Sequence, residues 1–244
     1  MTENKLTIEN ISCNINDNQI LKNINFEIES GKVVVLMGPN GAGKSTISNV
    51  LMGNPKYEVT SGKITLDGDD ITDMPVNEKA KKGLFMSFQN PVEISGVTMT
   101  NFLRTSYNAL NNTNIQLAQF MKLLKSNMEE LELDAKFRGR FVNSGFSGGE
   151  KKRAELLQLM LFEPKYVILD EIDSGLDVDG IKLVSEMLNK ILKKRKMGVL
   201  IITHYNKILE YIKPDSVVVL KSGQISQIGG IEVAEKILQN GFNE

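Results

Sequence analysis

The run Val33-Val34-Val35-Leu36-Met37-Gly38-Pro39-Asn40-Gly41-Ala42-Gly43-Lys44-Ser45-Thr46-Ile47-Ser48-Asn49-Val50-Leu51-Met52 decides the architecture. Its first five residues are apolar without alternation, the pattern of a strand buried on both faces in a parallel sheet. Gly38-x-x-x-x-Gly43-Lys44-Ser45 follows at once, and apolar helix formers resume at Ile47, Val50, Leu51 and Met52. Strand, glycine loop and helix in that order make a phosphate cradle. The backbone has to wrap around an anion with its N–H groups turned inward, a Cβ at Gly41 or Gly43 would obstruct that path, and the helix starting near Lys44 adds the positive end of its dipole. Gly38, Pro39, Asn40, Gly41, Ala42, Gly43, Lys44, Ser45 and Thr46 are therefore expected to hold the phosphates of ATP. Lys44 should reach the β- and γ-phosphates and the Ser45 hydroxyl should ligate Mg²⁺.

Working outward, Val167 to Asp170, Gly198 to Thr203 and Ser216 to Leu220 read as further strands buried on both faces, which defines an α/β core. Lys5 to Ile11 and Asn23 to Glu29 alternate apolar and polar residues, and Lys63 to Leu66 follows a Ser61-Gly62 turn, so an antiparallel layer with one wet face is expected. Between Thr98 and Leu133 the period becomes helical, with Phe120, Met121 and Leu124 facing a core. A helix from Gly149 to Leu161 should stop before Pro164, which disfavours a helical Glu163. Val167-Ile168-Leu169-Asp170-Glu171 is an apolar strand ending in two carboxylates. Downstream of a phosphate loop, Asp170 is expected at Mg²⁺ through water and Glu171 on the attacking water.

A chain of 244 residues can bury an ordinary core, and a net charge of -1 with both signs interleaved offers no field for nucleic acid or an anionic membrane. One cysteine, Cys13, cannot by itself close a disulfide or hold an iron-sulfur cluster or a structural zinc, and a cytoplasmic setting is expected; packing in a strand is favoured over a reactive thiol. Apolar runs fall far short of the ~20 residues of a membrane span, and the polar start lacks a secretory pattern. Asn111-Asn112-Thr113-Asn114 reads as a surface loop, and Lys193-Lys194-Arg195-Lys196 as a solvated helix end.

Three more segments resemble the ABC ATPase family. Phe146-Ser147-Gly148-Gly149-Glu150 is similar to its signature turn, usually Leu-Ser-Gly-Gly-Gln; Ser174-Gly175-Leu176-Asp177 resembles its D-loop; Gln89 and His204 fall where its Q-loop glutamine and switch histidine stand. The resemblance implies a P-loop NTPase of the ABC type: a RecA-like core with an N-terminal antiparallel β layer over residues 1–90 and 163–244, and a helical subdomain over 91–162. It implies that Gln89 contacts Mg²⁺ or the attacking water and His204 the γ-phosphate. Ser147, Gly148 and Gly149 would seal the ATP held by a second, head-to-tail copy, so that catalysis would fall to Glu171, His204 and Lys44, and Mg²⁺ to Ser45, Gln89 and Asp170.

Residues 85–97, 145–153, 169–177 and 203–215 together resemble the SufC group, the cytosolic ATPase subunits of the SUF iron-sulfur cluster assembly machinery, over nearly the whole chain. That implies a SufB/SufD-type scaffold partner docking near Gln89 to Leu103, with no cluster on this chain. Ile15 occupies the position where many cassettes stack an aromatic on adenine, and Glu150 replaces the commoner glutamine. The detached nucleotide-binding subunit of an ABC membrane transporter shares every nucleotide motif and is the alternative. A cohesin-like or DNA-repair ATPase would need a long coiled coil, for which the interval from Ser45 to Asp170 is too short.

Overall fold

Strands that are apolar at every position need cover on both faces, and this requirement sets the order of layers. The computed structural model describes residues 4–89, 91–203 and 207–242. In chain order the elements are β1 (Lys5–Ile15), β2 (Asn18–Glu29), β3 (Val33–Met37), α1 (Lys44–Met52), β4 (Glu58–Leu66), β5 (Asp69–Asp70), α2 (Val76–Lys81), β6 (Leu84–Ser87), β7 (Ile94–Thr98), α3 (Met99–Asn111), α4 (Leu117–Glu130), a 3-10 turn (Ala135–Gly139), β8 (Phe141–Val142), α5 (Gly148–Phe162), β9 (Tyr166–Asp170), α6 (Val178–Lys194), β10 (Gly198–Ile202), α7 (Lys207–Tyr211), β11 (Ser216–Lys221), β12 (Gln224–Gly229) and α8 (Ile231–Asn240).

The central sheet runs β12-β11-β3-β10-β9-β6, parallel except for the antiparallel edge strand β12. Alternate residues of its strands enter two separate cores. Val33, Val35, Met37, Val167, Leu169, Val199 and Ile201 pack with α5 and α6, while Val34, Leu36, Ile168, Leu200 and Ile202 pack with α1 and the antiparallel sheet β2-β1-β4-β5. This is the α/β core with an N-terminal β layer expected from the pattern. At Val33–Met37 every position is buried, because each face has its own cover.

β1 and β2 both run further than their alternation indicates. β1 buries Leu6 and Ile8, then Ile11 and Cys13; the parity changes across Asn10, whose φ is 52°, and β2 shifts in the same way at Asn23, φ 50°. These irregularities let one long strand keep its apolar side inward while adding twist. Opposite the first, a Cβ on Gly62 would lie 2.4 Å from the Asn10 carbonyl, so only glycine fits there. Cys13 is fully buried, and burial, aided by the Glu58 charge, pushes its thiol up to about 11; it is a packed apolar residue.

The helical period between Thr98 and Leu133 resolves into α3 and α4, with Leu103, Phe120, Leu124 and Met128 buried and Leu117 exposed. α5 is buried on almost every side by Ala154, Leu156, Leu157, Leu159, Met160 and Leu161, and it ends at Glu163, which leaves the helix in a left-handed conformation ahead of Pro164. In the basic run, Lys194 pairs with Glu130, and Arg195 pairs with Glu163 and donates to the Met160 carbonyl at 3.2 Å. This helix end is tied to α4 and α5, not simply solvated. Among the described residues no helix is long and apolar enough to cross a membrane.

Lys79 of α2 is fully buried, and its ammonium donates to the Leu51 carbonyl at 3.0 Å and the Thr72 carbonyl at 3.4 Å, capping the last turn of α1. Burial pulls its pKa down from 10.5 to about 8, with Asp73 opposing. Between those values the unfolded chain binds more protons than the folded one, so stability from this site should rise with pH across the window. The neutral amine can still donate both bonds. In urea titrations at about pH 7.5 and about pH 9.5, the unfolding free energy of wild type relative to Lys79→Met should shift in wild type's favour at the higher pH; a difference that does not move would show that Lys79 stays charged.

Candidate nucleotide site

Parallel strands deliver their carboxyl ends to one edge of a sheet, and the loops leaving that edge build the site. Here the edge gathers the loop after β3, Asp170 and Glu171 after β9, Thr203 after β10 and Gln89 after β6, from neighbouring strands. His204 lies outside the described residues.

The loop after β3 closes on its own lysine. Lys44, only 4% exposed, donates to the carbonyls of Gly38 and Pro39, each at 2.9 Å. An ammonium has three hydrogens, so one remains for an outside acceptor. Burial lowers the Lys44 pKa, while the negative charges of Glu171 and Asp170 raise it. Ala42 donates to Pro39 at 3.2 Å, and the Ala42 carbonyl accepts from Gly223 at 3.0 Å, bracing the loop on the β11–β12 turn.

The glycines divide into two kinds. A Cβ on Gly38 would sit 2.3 Å from the Leu220 carbonyl, a clash with neighbouring backbone. Gly43 precedes the helix at φ 104° and would also press Leu21 at 2.9 Å; Gly41 has φ 78° but open space around it. In the chain alone the constraint at Gly41 is therefore backbone conformation. α1 begins at Lys44 with no side-chain cap on its first amides, which stay available to an anion.

Asp170 is 2% exposed. Its Oδ2 accepts from the Ser48 hydroxyl at 2.8 Å, and its Oδ1 has no hydrogen-bond partner. Burial raises its pKa, an effect opposed by the Ser48 hydrogen bond. Ser48, one helical turn beyond Lys44, was not singled out by sequence reasoning; a small hydroxyl residue among apolar neighbours on α1 was the available signal. The Ser45 carbonyl accepts from the Asn49 side-chain amide at 2.6 Å and lies 2.9 Å from the Ser48 hydroxyl.

Glu171 adopts φ 52°, a conformation that costs a residue with a side chain about 1–3 kcal/mol, and its N–H is held by the Ile202 carbonyl at 2.9 Å. Its carboxylate accepts a hydrogen bond from the Gln89 side-chain amide, so the two residues placed at this edge from separate sequence segments do meet. Two residues further on, Asp173 is buried, accepts from the Thr203 hydroxyl at 2.7 Å and has its pKa raised by burial. Asp173 and Thr203 cross-link the ends of β9 and β10, and neither was identified as a site residue from sequence.

A second missed pair holds the residue before Gln89. Lys152 and Glu155, on the inner side of α5, are buried and 3.5 Å apart; Glu155 accepts from the Phe88 N–H at 3.0 Å and Lys152 donates to the Phe88 carbonyl at 3.4 Å. Both polar groups of one residue are thus gripped by one helix. The same helix starts with Ser147 as its cap, whose hydroxyl accepts from the Glu150 N–H at 3.2 Å while Glu150 accepts from the Ser147 N–H at 2.8 Å. Gly148 packs on the Gly175–Leu176 loop, where an added Cβ would stand 3.3 Å from the Gly175 carbonyl.

The sequence matches the ABC transporter family over residues 21–174, which runs from β2 through the glycine loop and the start of α5 to the acidic edge. The chain belongs to this family. It is 49% identical over its whole length to vegetative protein 296 of Bacillus subtilis, of which it covers 94%. It is 42% identical, again over its whole length, to a probable ATP-dependent transporter of Synechocystis sp., of which it covers 96%. Its fold is that of a bacterial ABC transporter cassette solved as a dimer, at a TM-score of 0.80 and 20% identity, over 93% of this chain and 98% of that one. The protein is an ABC ATPase that binds and hydrolyses ATP.

Ser48→Ala removes a charge-assisted bond from a buried carboxylate and should lower the unfolding free energy by about 1.5–3 kcal/mol at neutral pH. The loss should shrink in acid, where Asp170 is protonated. Denaturant titration at the two pH values checks it, and a loss that does not depend on pH would mean that Asp170 is already neutral at pH 7.

Proposed function

We propose that ATP is hydrolysed between two head-to-tail copies of this chain, and that the cycle drives a SufB/SufD-type scaffold in iron-sulfur cluster assembly. The observation that carries the catalytic part is the hydrogen bond between Gln89 and Glu171 beside the lysine-filled loop. Lys44 lies against the β- and γ-phosphates and offsets their charge, and the first amides of α1 receive the β-phosphate. The residues fit a divalent cation: the buried, unpartnered Asp170 Oδ1 is an open acceptor, and Ser45 and Gln89 supply the other oxygens. Among the described residues no group of three or more His, Cys, Asp or Glu is placed to hold a metal, so such an ion depends on phosphate oxygens to complete its shell. Mg²⁺, when bound, neutralises charge developing on the phosphoryl oxygens.

Glu171 takes the proton of the attacking water, and Gln89 fixes the carboxylate that does so. His204 is assigned to the γ-phosphate. Ser147, Gly148 and Gly149 of the opposite copy present the start of α5 to that same phosphate, an arrangement in keeping with the dimeric cassette of the same fold. Residues 91–162 act as the helical subdomain that moves with them. Charge placement and water positioning account for the catalysis.

The assembly role is supported by the SufC-like segments 85–97, 145–153, 169–177 and 203–215. The edge beside Gln89 suits a protein partner, since Phe88, Val92, Ile94 and Phe141 are all exposed there. A second reading, the detached motor of a membrane transporter, is favoured by the Synechocystis relative, a probable ATP-dependent transporter. Affinity capture from native cells separates them: a soluble scaffold should co-purify, whereas integral membrane proteins alone would count against assembly.

For the chemistry, Lys44→Ala should abolish ATP binding, while Glu171→Gln should bind ATP normally and lose about 10²–10⁴-fold in turnover. Calorimetry and phosphate release measure the two; turnover near wild type in Glu171→Gln removes Glu171 from its role.

A further inference from the structure

The start of α5 carries an electrostatic contradiction. Ser147, Gly148 and Gly149 offer amides suited to an anion, yet Glu150 holds a carboxylate against the same turn through its bond to the Ser147 N–H at 2.8 Å. That carboxylate stabilises the helix start, and it repels a triphosphate arriving at the same place. Burial of Glu150 is partial, and its pKa is lowered by the Ser147 N–H first and by Arg140 second, so it is ionised at neutral pH.

Arg140, at the end of the 3-10 turn ahead of β8, spans this turn from behind. Its guanidinium forms an ion pair with Glu150 and donates to the Gly145 carbonyl at 2.8 Å. It also lies over the Phe146 ring at 4.1 Å and near Phe137 at 5.7 Å, and those two rings pack at 4.6 Å. A planar cation fastened on Phe146, Gly145 and Glu150 touches three points of one short turn.

We infer that Arg140 is a positioning residue for ATP-dependent pairing: it cancels the Glu150 charge, so that the Ser147–Gly149 turn meets the partner copy's γ-phosphate as a neutral donor surface. This inference rests on the two-copy site proposed above, and its test distinguishes the two.

In a Glu171→Gln background, Mg-ATP binding is measured by equilibrium dialysis and pairing by sedimentation. Arg140→Met should bind Mg-ATP as the parent does yet pair at least about tenfold more weakly, since a bare carboxylate would then face a triphosphate at close range. Adding Glu150→Gln, which keeps the cap but removes the charge, should restore pairing. Arg140→Lys, which keeps the charge, should retain most of it, and it stands in as the reporter if Arg140→Met fails to fold. Pairing unchanged in Arg140→Met, no rescue by Glu150→Gln, or Arg140→Lys as weak as Arg140→Met would each overturn charge compensation. If the Glu171→Gln parent binds Mg-ATP but does not pair, the two-copy site fails first, and the inference falls with it.

Discussion

A nearly buried ammonium is the constraint around which the site is built. Lys44 can be withdrawn from water only because the carbonyls of Gly38 and Pro39 accept its protons and the carboxylates of Asp170 and Glu171 lie on the same sheet edge. The carbonyls reach it only if the loop turns tightly. Gly43 in a left-handed conformation, and Gly38 set against the Leu220 backbone where no side chain fits, allow that turn. The loop's form therefore depends on β11 beside it as much as on its own glycines.

The acidic edge shows the opposite imbalance. Asp170 and Asp173 are buried carboxylates, each with one oxygen lacking a hydrogen-bond partner, and burial raises both pKa values. Such groups are costly in the chain alone. Strain is stored in the same place, at the left-handed Glu171 backbone. Buried unpartnered oxygens and a left-handed backbone thus meet on one edge of the sheet.

α5 joins this edge to the rest of the molecule. One face carries Lys152 and Glu155, which hold the Phe88 peptide next to Gln89, and its first turn carries the Ser147–Glu150 cap braced by Arg140. Burial on nearly all sides makes the helix a stiff body, so movement at one end is felt at the other.

Local pattern made much of this legible. The apolar runs, the glycine loop before a helix and the carboxylate pair after β9 each follow from a few consecutive residues, because backbone conformation and strand burial leave marks at short range. The alternation of β1 and β2 was read only from Lys5 to Ile11 and from Asn23 to Glu29, since a bulge reverses parity without altering composition. By itself, then, the sequence determined the α/β core, the phosphate loop and the Asp170–Glu171 edge. Only the tertiary structure decided that Ser48 serves Asp170, that Lys79 caps α1, that Lys152 and Glu155 grip Phe88 and that Arg140 answers Glu150. Except within α5, these partners are brought together by packing of separate segments, and a buried polar group's choice of partner is settled by which neighbour the completed core leaves within hydrogen-bond reach.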